Sequence, residues 1–149
     1  DFGDTDTENI NIPDNEKVLV AMIQALKKYR SIMKSEHNKG TVAGPAFIEE
    51  DKRIERLQLR INITSQVRRG KMAKKNGMTG SARQYFEKAM ATLDAQVYTD
   101  EYIMHSKAEV QNFLDDIARE LNADQAAKKK EFAEEQDNLD DLFAPKKKW

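Results

Sequence analysis

Apolar residues recur three and four positions apart over most of the chain, a period that predicts helices separated by short polar breaks. Leu19, Met22, Ile23, Leu26, Tyr29 or Arg30, and Met33 form the first stripe, with Asp14 or Asn15 placed to cap it. This predicts a helix over 15–37 that stops at Asn38, Lys39 and Gly40. Pro45 suits the first turn of the next helix, expected over 45–76, because its missing N–H costs nothing there. Glu49, Glu50 and Asp51 follow near the positive end of that helix. At about 100° per residue, Ile54, Leu57 and Ile61 fall on one side of it, and Leu59, Ile63, Val67 and Gly70 nearly opposite. Two apolar stripes require two neighbours. The second helix is therefore expected to lie between the first and the third.

Asn76, Gly77, Met78, Thr79 and Gly80 make a turn, and Thr79 or Ser81 starts a third helix over 80–93. Its inward face is Ala82, Tyr85, Phe86, Ala89, Met90 and Leu93. Thr99 is read as the cap of a fourth helix over 99–121, with Asp100 and Glu101 in the first turn. Its seam is Ile103, Ser106, Val110, Phe113, Leu114, Ile117 and Leu121. From Asn122 the period weakens, so residues 123–149 are read as a fraying helix and a mixed-charge tail. Residues 1–13 are acidic and without sustained period, and are read as a disordered arm. The expected fold class is all-α: an elongated bundle of about four helices over 14–122 with flexible termini.

Composition agrees with that class. The 149 residues are one domain's worth, and 34% charged residues leave long polar faces to keep wet. Three prolines and six glycines leave little material for strands and turns. Without cysteine there is no disulfide framework or thiolate metal site, which suits a reducing, cytoplasmic setting. No apolar run reaches the roughly 20 residues of a spanning helix. The chain opens on Asp1, so a membrane role depends on an anchor ahead of that residue.

Small residues at Gly70, Ala73, Ala82 and Ala89 stand where two antiparallel helices would approach closely, with Phe86 as one bulky plug between them. The spacing of Gly70, Gly77, Ala82, Phe86 and Ala89 resembles a single tetratricopeptide repeat. Gln66, Arg69, Ala73 and Asp94 stand where that repeat usually carries an aromatic, a leucine, a tyrosine and a proline. No second copy follows one repeat length on, at Met104 and Asp116. The resemblance implies a central helical hairpin with a peptide-holding concavity. That surface would draw on Lys71, Lys74 and Arg83 and suit an acidic partner segment.

Charge is segregated along the chain. Residues 1–16 carry six acids and no base, residues 17–90 carry 17 bases against six acids, and residues 91–149 carry eight bases against 14 acids. Either acidic segments dock on the basic middle, or a basic face is reserved for an anionic partner. Nine Lys or Arg and one acid, Glu55, lie between Lys52 and Lys75. Arg56, Arg60, Arg68, Arg69, Lys71, Lys74 and Lys75 form a ridge able to neutralise phosphates of nucleic acid or anionic lipid. No aromatic residue that could stack on a base lies in that stretch. An ordinary solvated face is the competing reading.

The residues for catalysis do not assemble. His105 has Glu101 and Glu109 one turn to either side, but the paired Glu-x-x-His signature of di-metal bundles is missing, and His37 sits at a helix end. No glycine-rich loop follows a strand, and no serine has a nucleophile-elbow setting. No enzyme activity, cofactor or metal is expected. The tail carries the other candidate. Gln136, Leu139, Leu142 and Phe143, followed by lysines, resemble the short peptide by which replication and repair proteins dock on a sliding clamp, except that Leu142 stands where an aromatic is usual. With Trp149 these residues form a partner-binding segment in a chain end. The expected function is a noncatalytic interaction or scaffold module that binds another protein through a helical groove, its tail, or both. The alternatives are nucleic-acid association through the basic ridge and the cytoplasmic part of a membrane-anchored protein.

Overall fold

The computed structural model describes residues 11–144. Trp149, the expected arm over 1–10 and the terminal lysines lie outside these residues. Four helices follow in order: α1 (Glu16–Asn38), α2 (Gly44–Lys75), α3 (Thr79–Asp94) and α4 (Glu101–Phe143). Among the described residues there is no strand. The class is all-α, as the periodicity predicts.

Local chemistry sets the ends. The Asn15 side chain accepts a hydrogen bond from the backbone N–H of Lys17, capping α1. Gly40 and Gly77 take φ of 80° and 77°, the left-handed turn that reverses the chain after α1 and after α2. The cap of α4 is Asp100, whose carboxylate accepts from Ile103 N–H at 2.8 Å, one residue later than the expected Thr99. Asp is as good an acceptor as Thr at this position and adds charge favourable to the helix dipole.

Both stripes of α2 are covered. Leu59 and Ile63 join Ala73, Ala82, Phe86, Ala89, Leu93, Ile103, Val110 and Ile117 in one core shared by α2, α3 and α4. Ile54 and Ile61 are buried on the other stripe, where α1 packs and contributes Leu19. The first helix is docked lightly: Leu19 is its one fully buried residue, and Val18, Val20, Tyr29 and Ile32 remain exposed. Met22, Ile23, Leu26 and Met33 are partly buried on the same stripe, and polar contacts add to the hold. Arg30 reaches across to Asp51 at 2.5 Å and Glu55 at 2.7 Å, and these two carboxylates hold its guanidinium charged well above the ordinary range.

The hairpin of α2 and α3 closes on Gly70. A β-carbon there would fall 2.7 Å from Cε1 and Cζ of Phe86, while Ala82, Phe86 and Ala89 are wholly buried. Phe86 stacks in turn on Phe113 of α4, ring centroids 4.8 Å apart.

The fourth helix departs from the sequence expectation. It does not fray after Leu121 but continues as α-helix to Phe143. Its body-packed half ends where expected, because Leu121 is the last partly covered residue and every residue over 122–143 is exposed. The extension is about 33 Å long. Local propensity accounts for it: Ala, Lys, Glu and Gln dominate, no glycine or proline interrupts α4, and growth from a folded helix avoids the cost of nucleation.

Candidate functional site

Two features were singled out by sequence, the ridge and the tail, and the fold treats them differently. The ridge residues lie along α2, but most are turned to partners within the chain. Arg60 covers the Tyr102 ring at 4.3 Å, and Arg56 lies over Tyr98 at 5.8 Å. Burial pushes the Tyr102 phenol upward, while a hydrogen bond from Ser106 and the charge of Arg60 pull the other way. Arg68 donates to the backbone carbonyls of Pro13 (2.6 Å) and Ile12 (2.9 Å), with Asp14 at 3.4 Å, and Arg69 pairs with Glu16 at 2.7 Å. The end of the expected arm, at residues 12–13, is therefore seated on α2. Arg68 holds it by satisfying carbonyls that the start of α1 leaves unpaired.

Lys71 and Lys74 face α4, pairing with Glu109 at 3.9 Å and Glu120 at 3.2 Å. Lys71 also sits 5.1 Å over the Phe113 ring. Arg83 pairs with Glu87 within its own helix. The three residues expected to line one concavity thus do not share a face: two bridge helices, and the third lies on the outer side of α3. Lys75 is exposed at the end of α2. Acidic residues of α1 and α4 pair with Arg69, Lys71 and Lys74 of the ridge, each pair being weak because its partners are partly exposed.

The tail residues stand on the extension of α4. Phe132, Leu139, Leu142 and Phe143 are 66%, 52%, 77% and 82% exposed, on a helix whose other exposed residues are mostly charged. At about 100° per residue they fall within one arc, the same arc that carries Ile103, Val110, Ile117 and Leu121 toward the core. Gln136 flanks this arc and Glu135 lies inside it. The apolar face of α4 therefore outlasts the body that covers it. The clamp-like spacing sits in regular helix here, so Leu139 and Phe143 lie one turn apart. Phe132 was missed by sequence because it stands alone between lysines and glutamates. Helical phasing against Leu139 would have found it.

The end of α4 is also unusual in charge. Residues 131–143 hold six acids and no base, and the last turn has no basic residue. Asp137, Asp140 and Asp141 lie near the negative end of the helix dipole, where cations are favoured. This half of the helix is thus the least self-sufficient part of the fold.

At the same end of the molecule a groove of about 590 Å³ opens between α1, α2 and α3. Leu19, Met72, Ala73, Met78 and Tyr85 supply its apolar surface, and Arg68 and Arg69 stand beside it. Met72 and Met78 are more than half exposed. No residue of the α4 extension lines this groove.

Among the described residues no three His, Asp or Glu side chains could hold a metal ion. His105 is exposed, and its neighbour Glu109 is paired with Lys71. His37 stacks on Phe47 at 4.5 Å and is hydrogen-bonded through Nδ1 to the carbonyl of Val42, so it fastens the loop between α1 and α2. Among the described residues no helix is long and apolar enough to cross a membrane. No protein-family model, curated protein or solved structure matches the chain.

Proposed function

We propose that the chain is a noncatalytic protein-interaction module whose docking element is the outer half of α4. One observation carries this reading. Past the end of the bundle α4 continues for about six turns with none of the other described residues covering it, and Phe132, Leu139, Leu142 and Phe143 keep to the arc of its buried stripe. Large apolar side chains held on a regular helix in water are costly unless a partner covers them, and an amphipathic helix docking through i, i+3, i+4 and i+7 anchors is a common recognition mode. Leu139, Leu142 and Phe143 are the central anchors, with Phe132 and Gln136 at the margins. The six acids around them favour a partner surface that is apolar and basic.

Phosphate binding along α2 is the weaker reading. Arg68, Arg69, Lys71 and Lys74 each have a partner in the chain, so a nucleic acid would have to displace them one by one.

Affinity capture with the full chain and with a Leu139→Asp, Phe143→Asp variant of it tests the proposal. Both substitutions fall on exposed positions beyond the packed body, so the fold is expected to persist. Loss of the captured proteins in the variant supports a docking helix. Capture of the same proteins by both overturns it.

A further inference from the structure

Resting on that reading of α4, we infer that the partner of the extension is a second copy of this chain. Residues 131–143 of one molecule seat in the groove beside Arg68 and Arg69 of the other, and the exchange is reciprocal.

Placement comes first. Lys74 near the end of α2 is paired with Glu120, so α4 passes the hairpin turn at about residue 121 and projects beyond it. The groove opens at that same turn, lined by Ala73, Asn76 and Met78. A helix leaving the body cannot bend back into it without a break, and α4 has none before Phe143. Two copies set tip to tip bring each extension alongside the other's groove. Lengths agree as well: the groove follows α2 from Ser65 to Asn76, about 16 Å, and residues 131–143 span about 18 Å. Residues 122–130 then bridge the two tips.

Chemistry selects the same pairing. The extension's apolar face is interrupted by Glu135, a carboxylate that would be stranded against a purely apolar surface. In the groove the apolar floor is flanked by Arg68, Arg69 and Lys71 together with Asp14 and Glu16, one more base than acid. Arg68 donates to two neutral carbonyls with the exposed Asp14 nearby, and Arg69 pairs with the exposed Glu16, so a carboxylate of a second copy competes only with weak, half-solvated pairs. Met72 and Met78 are flexible apolar side chains able to shape themselves around Leu139 and Leu142. Direct apposition of the two 131–143 segments is disfavoured, because each brings six acids and no base; an antiparallel pairing of extensions through Lys128, Lys129 and Lys130 is the rival that a dimer indifferent to Arg69→Glu would reveal. A two-fold arrangement fills both grooves at once, so each contact raises the effective concentration of the other.

Sedimentation equilibrium of the full chain, from low micromolar to submillimolar concentration, tests the inference. A dimer that weakens with salt is expected. Arg69→Glu and Glu135→Arg are each expected to raise the dimer dissociation constant about a hundredfold, the scale of like charges set against each other in an interface. The double variant is expected to regain most of that loss, with circular dichroism confirming that each chain is folded. A chain that stays monomeric throughout overturns the inference and leaves the docking-helix reading to be judged by capture. A dimer indifferent to Arg69→Glu, or a double variant no tighter than the singles, also overturns it.

Discussion

Gly70 and Phe86 meet so closely that a β-carbon on the glycine would lie 2.7 Å from two carbons of the ring. No real β-carbon tolerates that distance, and the ring is itself held by Phe113 stacked on its other side. The approach of α2 to α3 is therefore set by a missing methyl group. Gly70→Ala should destabilise the chain by about 1–3 kcal/mol, the range for overpacking a well-filled core, despite alanine's better helix propensity. Urea unfolding checks this. Adding Phe86→Leu to Gly70→Ala should cost less than the sum of the two single substitutions, because the leucine vacates the space the methyl group needs.

Low pH should loosen α1 first. Glu50 accepts two hydrogen bonds from Arg53 and one from the Tyr29 hydroxyl, and the Arg53 contact chiefly holds its carboxyl below the ordinary range against partial burial. A carboxylate with a lowered folded value stabilises the fold in full above its unfolded value. That contribution is lost as pH falls through the folded one. The expected result is a urea midpoint that drops on acidification below the ordinary glutamate range, with a shallower drop in Glu50→Gln. A slope identical in both chains would remove Glu50 from the account.

The upper end of the pH scale should act through Tyr102. Burial raises its phenol, so the neutral form is favoured in the fold, and stability should be complete below the ordinary tyrosine value and decline above it. Tyr102→Phe should lessen this decline while retaining the ring beneath Arg60, with Tyr29 and Tyr98, also raised by burial, supplying the remainder. Stability curves measured between neutral and strongly alkaline pH distinguish the two chains.

Generic nucleic acid should bind poorly. Arg69, Lys71 and Lys74 of the ridge are paired with Glu16, Glu109 and Glu120, so a steep salt-dependent affinity is not expected. Fluorescence anisotropy with labelled single- and double-stranded DNA at low salt checks it. An affinity that falls steeply with added salt would return function to the ridge.

Legibility in the sequence followed burial. The two-sided packing of α2 could be read because each covered face leaves its own stripe, Ile54 with Ile61 and Leu59 with Ile63, and both are buried. The hairpin was equally plain, since Gly70, Ala82 and Ala89 are small for a steric reason that a spacing can show. The outer half of α4 was not, because an uncovered helix has no need of a continuous stripe, and Lys128 and Glu135 interrupt the arc shared by Phe132 and Leu139. Its strong helix formers were the available signal. Docking of acidic segments on the basic middle was one reading the charge segregation offered, but the pairs themselves were not legible: joining Lys74 to Glu120 or Arg69 to Glu16 needs the register of packed helices, which composition does not carry.

Removing everything after Asn122 should leave the melting temperature almost unchanged, because every side chain over 122–143 is exposed. Circular dichroism should nevertheless lose helix signal in proportion to the residues removed. A large fall in melting temperature would mean that the extension supports the body.

The most direct measurement is amide hydrogen exchange along α4 in the full chain at a dilution where it is monomeric. The account requires a step at Leu121: strong protection over 103–121, where Ile103, Val110 and Ile117 are buried, and fast exchange over 123–143, where tertiary contact is lacking. Uniform slow exchange across the whole helix would mean that the isolated chain already covers its outer half, leaving no docking face to offer a partner.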